Sequence, residues 1–558
     1  MPGCLVTLLA GLLRLGGIYT GYLSLDPYPY RHSLEAPPTP AYTMTMVIST
    51  SDALPQAKRR RSASPVSRPA LTDSRLGARA SHLLVTHVNK VELDDELLGL
   101  DDYVLTDLAH AVMLTRTGIF DHTRGRAIVK ALLDLRAGNT FALLNPHPEV
   151  GTLGLQIEQY LERCLGPRGR DVQRARSRID QKATNWRRTN RAALATVLEE
   201  CTHLGAAVLA TAARHAGVLM PGYTHLQHSQ PTTVDHYLNA HYWALSRNAA
   251  RLLDAYDRLN ACPLGGAAYS GTSWPIDRAA TAAYLGFDRP VPNARDAGFA
   301  SLDMGAEIAS ALAAVLSCAS RLASDLNYWS SSEVGLVRVS ASLCGTSSMM
   351  PQKRNPMTLE RIRGLAGFAV GWAASQLGVM HTATSTDVDQ SYVHNLLPGQ
   401  CAETAGALAL LREIVATIEV DAPAMRASAG RHWSTASALA DSLVVSHGLS
   451  FRDAHEIVAR LVAAHEGAGF RDGELREHLI ADEALKTYGI DRIKAILDPA
   501  GFVATRISPG GTALKEREAL AASAAADLEQ TEQEVRRRAE HVSKGLERLL
   551  KDAREIVA

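Results

Sequence analysis

The stretch ASLDMGAEIASALAAVLSCASRLASDLNYWS, residues 300–330, decides the fold. Ile308, Leu312, Val315, Leu316, Ala319, Leu322 and Leu326 recur in it at three- and four-residue steps. Side chains so spaced share one face of an α-helix, whereas a strand alternates every second residue. Residues 231–260 repeat the pattern with Leu238, His241, Leu245, Ala249, Leu252, Leu253 and Tyr256. Alternating runs are scarce and no short-period repeat is present. Long amphipathic helices bury their stripes against one another, so several in sequence imply a helical bundle. The fold class read from the chain is all-α.

Composition agrees. The 558 residues are 46% hydrophobic and 21% charged, with only 5% aromatic. Lys plus Arg is 58 and Asp plus Glu is 58, so no basic field exists to grip a nucleic-acid backbone. Cys4, Cys164, Cys201, Cys262, Cys318, Cys344 and Cys401 are scattered, without a CxxC pair. Neither a disulfide framework nor a zinc cluster is expected, and a reducing, cytoplasmic compartment fits best. No run of eighteen apolar residues occurs, so no membrane-spanning helix is expected. Residues 1–75 hold nine of the 24 prolines and the basic run Lys58-Arg-Arg-Arg61. They read as a disordered, solvated extension, or as the product of a start placed ahead of Met44 or Met46. The apolar residues 5–15 lack the preceding positive charge of a secretion signal. Near the end Leu528, Val535, Val542 and Leu549 recur every seven residues, but Glu532, Ala539 and Leu546 between them make a poor coiled-coil seam.

Three segments carry chemistry. Thr346-Ser-Ser-Met-Met-Pro-Gln-Lys-Arg-Asn-Pro356 reads as a small-residue loop ending in a helix start. Asn355 suits an N-cap and Pro356 a first helical position. Ser347 and Ser348 supply hydroxyls, Lys353 a fixed positive charge and Asn355 an amide, a set able to hold a developing anion. A Ser-rich capping loop has the same composition. Pro221-Gly-Tyr-Thr-His-Leu-Gln-His-Ser-Gln-Pro231 reads as a polar loop running into a helix. His225 and His228 are two ligands without a third, too few for a metal; a carboxylate-held His suits acid–base work near neutral pH. Arg174-Ala-Arg-Ser-Arg-Ile-Asp-Gln181 either grips carboxylates with forked hydrogen bonds or is a solvated, salt-bridged helix face.

Together these motifs resemble the argininosuccinate lyase branch of the fumarase/aspartase superfamily. Its signature GSSxMPxKxNP is matched by residues 346–356 except at Thr346, and the run 221–227 is typical of the branch. So are Pro263-Leu-Gly-Gly-Ala267, Gly271-Thr-Ser-Trp-Pro-Ile-Asp-Arg278, Phe451-Arg-Asp-Ala-His-Glu-Ile457 and Gly510-Gly-Thr-Ala513. The resemblance spans about residues 76–520 and implies a three-domain subunit with a central long-helix bundle. Its regions would be 76–175, 176–420 with the signature loop, and 421–515, with an additional terminal helix at 516–558.

The resemblance also implies an activity: elimination of fumarate from an N-substituted L-aspartate, without metal or cofactor. Ser347 would be the base. Lys353 and Asn355 would hold the carboxylate that takes up charge. His225, paired with Glu360, would orient substrate or relay a proton. Thr224, Ser177, Arg178 and Gln390 would bind substrate. The family is a homotetramer whose sites lie where three chains meet. Several positions depart from the family. Ile179 stands where it has a substrate-binding Asn, Thr152 and Gly154 stand in its Asp-x-His, and its Tyr and Lys are not evident near Ser385–Gln390. The fumarate half thus reads as intact and the amine half as rebuilt, which favours an amine other than that of argininosuccinate. Two other readings stand beside this one: a non-catalytic structural or regulatory homologue that kept the fold, and an aspartase- or fumarase-like enzyme with a small leaving group.

Overall fold

All seven residues that share the predicted face from Ile308 to Leu326 are buried, in one helix spanning Asp303–Trp329. The computed structural model describes residues 78–300, 302–381, 387–469 and 474–558. The extension read at 1–75 lies outside them.

In chain order the elements used below are α1 (Lys90–Leu97), α2 (Leu100–Arg116), α3 (His122–Ala137), α4 (Leu153–Leu165), α5 (Arg178–Arg214), β1 (Leu219–Thr224), β2 (Gln227–Thr233), α6 (Val234–Leu259) and α7 (Arg278–Tyr284). They continue with α8 (Asp303–Trp329), β3 (Gly345–Thr346), β4 (Arg354–Asn355), α9 (Met357–Val379), α10 (Asp387–His394), α11 (Leu397–Thr417), α12 (Ala422–Ala429), α13 (Ala436–His447), α14 (Phe451–Gly467) and α15 (Leu514–Val557). Helix starts follow local chemistry: Asp121 accepts from the Arg124 N–H at 2.9 Å before α3, and Ser450 from the Asp453 N–H at 3.2 Å before α14.

Three large cores and one small cluster organise the described residues. The largest joins α5, α6, α8, α9 and α11, with Leu198, Leu252, Leu312, Ile362 and Leu408 in its interior. A second joins α2, α3 and α4 with the end of α15, through Leu108, Ile128, Leu153 and Leu549. A third joins α13 and α14 to residues 475–493. α5 and α8 are long and apolar enough to cross a membrane, with mean hydropathy of 1.3 and 1.4 over their best windows. Both serve instead as core helices of the bundle, α8 with 61% of that window buried. The sevenfold pattern near the end forms no separate coiled coil. α15 is one 44-residue helix whose Val535 packs into the first core and whose Leu549 packs into the second.

Two buried histidines make the fold acid-sensitive. Burial pushes His110 down to about 3, with the Arg176 charge adding to it, and burial pushes His394 down to about 3 as well. A neutral His buried in this way stabilises the fold fully above its unfolded value near 6.5, and the contribution is lost as pH falls toward 3. The histidine contribution to thermal stability should therefore be level above pH 7 and fall progressively below about pH 6.5. His110→Gln should flatten that fall; an unchanged slope would remove His110 from the account.

Candidate active site

Ser177 begins α5 with a reciprocal cap: its hydroxyl accepts from the Ile179 N–H, and Asp180 Oδ1 accepts from the Ser177 N–H at 2.9 Å. Asp180 is fully buried, and its Oδ2 accepts from the backbone N–H groups of Gly265 and Ala267 at 2.9 and 2.8 Å. One carboxylate thus ties the start of α5 to the 263–267 loop. The arginines before it are not a solvated face. Arg176 pairs with Asp107 at 2.7 Å, with neither side chain exposed. Arg174 pairs with Asp171 at 2.8 Å and covers the Phe120 and Trp274 rings. Buried charges require partners, and those two guanidiniums have internal ones. Ser177 is left half-buried and Arg178 exposed.

The second segment is a hairpin rather than a loop. β1 and β2 pair antiparallel, with Thr224 opposite Gln227 and only His225 and Leu226 between them. Both turn residues have positive φ, 55° and 58°, as a type I′ turn requires. That turn normally takes Asn or Gly, so neither residue advertises it, and the left-handed conformation is strained for Leu. Thr224 and His225 are exposed at the tip. Behind them His228 packs edge-on against Tyr223 and His432, with ring centroids 5.1 and 4.7 Å away.

The signature segment is closed by a second ladder. Gly345 pairs with Asn355 and Thr346 with Arg354, so Ser347 and Lys353 stand one residue beyond the last pair on either side. Thr346 has no left-handed backbone, so a branched residue serves where the motif has Gly. The Ser347 hydroxyl accepts from the backbone N–H groups of Met350 and Met349 at 3.0 and 3.3 Å. Two donors on one oxygen favour its ionised form. The N-cap of α9 is Pro356, not Asn355, because Asn355 is held extended in the ladder and a residue before proline avoids helical geometry. Glu360 lies in the first turn of α9, exposed, as is Lys353.

On the third side Ile179 is 6% exposed, and a Cβ built on Gly298 would lie 3.5 Å from it. Gln390 on α10 is also buried and donates its amide to the Gly298 carbonyl. Next along α5, Lys182 reaches Glu92 at 2.8 Å and Ser391 at 3.1 Å. Gly154 leaves room for Gln181, whose Oε1 would sit 2.6 Å from an added Cβ. Position 154 therefore cannot hold a histidine without moving Gln181. The sequence marks Ile179 through the Arg176–Gln181 motif, whereas Lys182 and Gly298 carried no motif and were not foreseen. The chain thus presents three groups: Ser347, Lys353, Asn355 and Glu360 on one loop and helix start, Thr224 and His225 on a hairpin tip, and Ser177 and Arg178 beside Gln390. Among the described residues no hydrogen bond or ion pair joins His225 to Glu360.

Residues 108–371 match the family described as Lyase, and residues 433–504 the one described as Argininosuccinate lyase C-terminal. An argininosuccinate lyase of Methanoculleus marisnigri is 38% identical over 417 residues, which are 74% of this chain and 84% of that one. The chain belongs to the argininosuccinate lyase branch of the fumarase/aspartase superfamily. This lyase is also 34% identical to an argininosuccinate lyase of Methanocorpusculum labreanum, over 79% of its length and 89% of the relative's. Among solved structures, an EDDS lyase variant with bound fumarate superposes with a TM-score of 0.76 at 30% identity, covering 86% of this chain and 96% of that one. The enzyme is a carbon–nitrogen lyase that releases fumarate.

Proposed function

We propose that this lyase eliminates fumarate reversibly from an N-substituted L-aspartate, with Ser347 as the base and an amine other than that of argininosuccinate as the preferred leaving group. The observation that carries the mechanism is the pair of backbone N–H groups on the Ser347 hydroxyl. The proton to be removed lies beside a carboxylate and is weakly acidic. A serine oxygen can take it only if the alkoxide is stabilised beforehand, and those two donors do so without reorganisation. Charge then builds on the carboxylate as a dianion, which the Lys353 ammonium and the Asn355 amide hold. His225, carried on the hairpin tip and backed by Glu360 from another copy, passes a proton to the departing nitrogen. Thr224, Ser177 and Arg178 hold the carboxylates, and Gln390 the amine side.

Thr224, His225, Lys353 and Glu360 lie exposed on separate segments of one chain, which supports a site completed by other copies in a homotetramer. Helix α9 supports it too. Met357, Phe368, Val370 and Leu377 are 55%, 73%, 60% and 51% exposed, apolar surface of the kind another copy would cover. A cytoplasmic location suits the scattered cysteines, which are free among the described residues.

The change of amine rests on Ile179. A branched alkyl group packed toward Gly298 cannot make an amide's hydrogen bonds. Replacing a hydrogen-bonding site residue by an alkyl group changes the ratio of kcat/KM between competing substrates. The test is fumarate formation from argininosuccinate beside a panel of N-substituted aspartates with apolar, aromatic and carboxylated amines. A panel member should exceed argininosuccinate in kcat/KM by about tenfold or more. If argininosuccinate is the best substrate, Ile179 has not changed the specificity.

A further inference from the structure

The family matches end at residues 371 and 504, so α15 lies wholly beyond them. Its last three turns nevertheless reach the second core through Leu549, Ala553 and Ile556. We propose that this terminal half of α15 is a strap that positions the substrate loop at the start of α5, with Asp552 and Tyr284 as its fastening.

The contacts form a continuous path. Asp552 is buried, accepts from the Tyr284 hydroxyl and pairs with Arg116 at 3.0 Å. Tyr284 ends α7, and there two glycines let the backbones touch. A Cβ on Gly545 would lie 2.5 Å from the Ala283 carbonyl oxygen, and one on Gly286 would lie 2.6 Å from Val542 Cα. A close seat of this kind tolerates no added side chain, so the helix has one register on α7. At the other end of α7, Arg278 donates to the carbonyls of Leu264 and Pro263 at 3.1 and 3.3 Å. The next residues of that loop, Gly265 and Ala267, hold Asp180, and Asp180 holds the Ser177 N–H. Leu264 and Leu549 also belong to one buried cluster. From Asp552 to Ser177 every link is therefore a hydrogen bond or one short rigid element. Without the strap, α7 loses its outer support and the loop under Asp180 can drift. The strap residues lie outside the segments assigned to substrate above, so Tyr284 and Asp552 are positioning residues. The proposal rests on the reading that Ser177 and Arg178 contact substrate.

The experiment compares the full chain, Tyr284→Phe, and a chain ending at residue 540. Amide exchange in residues 263–286 should quicken by roughly tenfold or more in both variants while α8 stays protected. KM for the working substrate should rise by about fivefold, with kcat within roughly twofold of the full chain. If the shortened chain does not fold, Tyr284→Phe decides alone, because it keeps the ring and removes only the hydroxyl. Unchanged exchange in 263–286 overturns the strap. Faster exchange with unchanged KM overturns the positioning role. Unchanged KM in Ser177→Ala and Arg178→Ala instead overturns the substrate-contact reading beneath it.

Discussion

Ser347→Ala is expected to lower kcat/KM for fumarate release by about 10³-fold, equivalent to roughly 4 kcal/mol of transition-state stabilisation. The fall should appear in kcat, because the base acts only as the proton leaves. Its structural cost should be small. Ser347 is half-exposed on a loop, and among the described residues its hydroxyl bonds to the neighbouring backbone N–H groups of Met349 and Met350. Thermal midpoint and circular dichroism should match the unsubstituted protein. Lys353→Met should give a comparable loss through a different step, since it removes the cation that holds the dianion. A Ser347→Ala enzyme within tenfold of normal activity would mean that another group takes the proton.

Asp107→Ala is expected to be the most damaging single change to stability, by about 3–5 kcal/mol. Arg176 and Asp107 are both without solvent exposure at 2.7 Å, and Gln181 donates to the same carboxylate at 2.5 Å. Removing the carboxylate strands a guanidinium in the interior and frees an amide beside it. Denaturant unfolding of Asp107→Ala, with Asp107→Asn beside it, checks this. Asp107→Asn should fall between, because its amide oxygen still accepts from Gln181. A loss below about 1 kcal/mol would show that Arg176 finds another partner or water. The same change should weaken substrate binding, since Arg176 precedes the Ser177 cap.

The bundle was legible because helical period survives in the apolar residues of 231–260 and 300–330, and those residues are the ones the first core buries. The branch was legible because long motifs such as 346–356 leave few alternatives. What escaped has physical reasons. The hairpin at 219–233 turns on His225 and Leu226, which carry no turn signal, so only the observed positive φ reveals it. The Arg174–Arg178 cluster stayed ambiguous between a carboxylate grip and a solvated face, because spacing cannot show that Asp107, some seventy residues earlier, arrives beside Arg176. The donors on Ser347 are backbone groups of Met349 and Met350, invisible to any reading of side chains. The strap is hidden for the opposite reason: α15 is mostly polar, and its grip depends on Gly286 and Gly545 meeting other backbones.

Stoichiometry tests whether this chain eliminates fumarate from an N-substituted aspartate through Ser347. Purified protein is incubated with the best N-substituted aspartate of the panel, and fumarate and free amine are measured together beside Ser347→Ala. The expected result is equal release of the two by the unsubstituted enzyme, and the reverse addition of that amine to fumarate, both nearly abolished in the variant. No fumarate from any substrate, with no addition in reverse, would contradict the account.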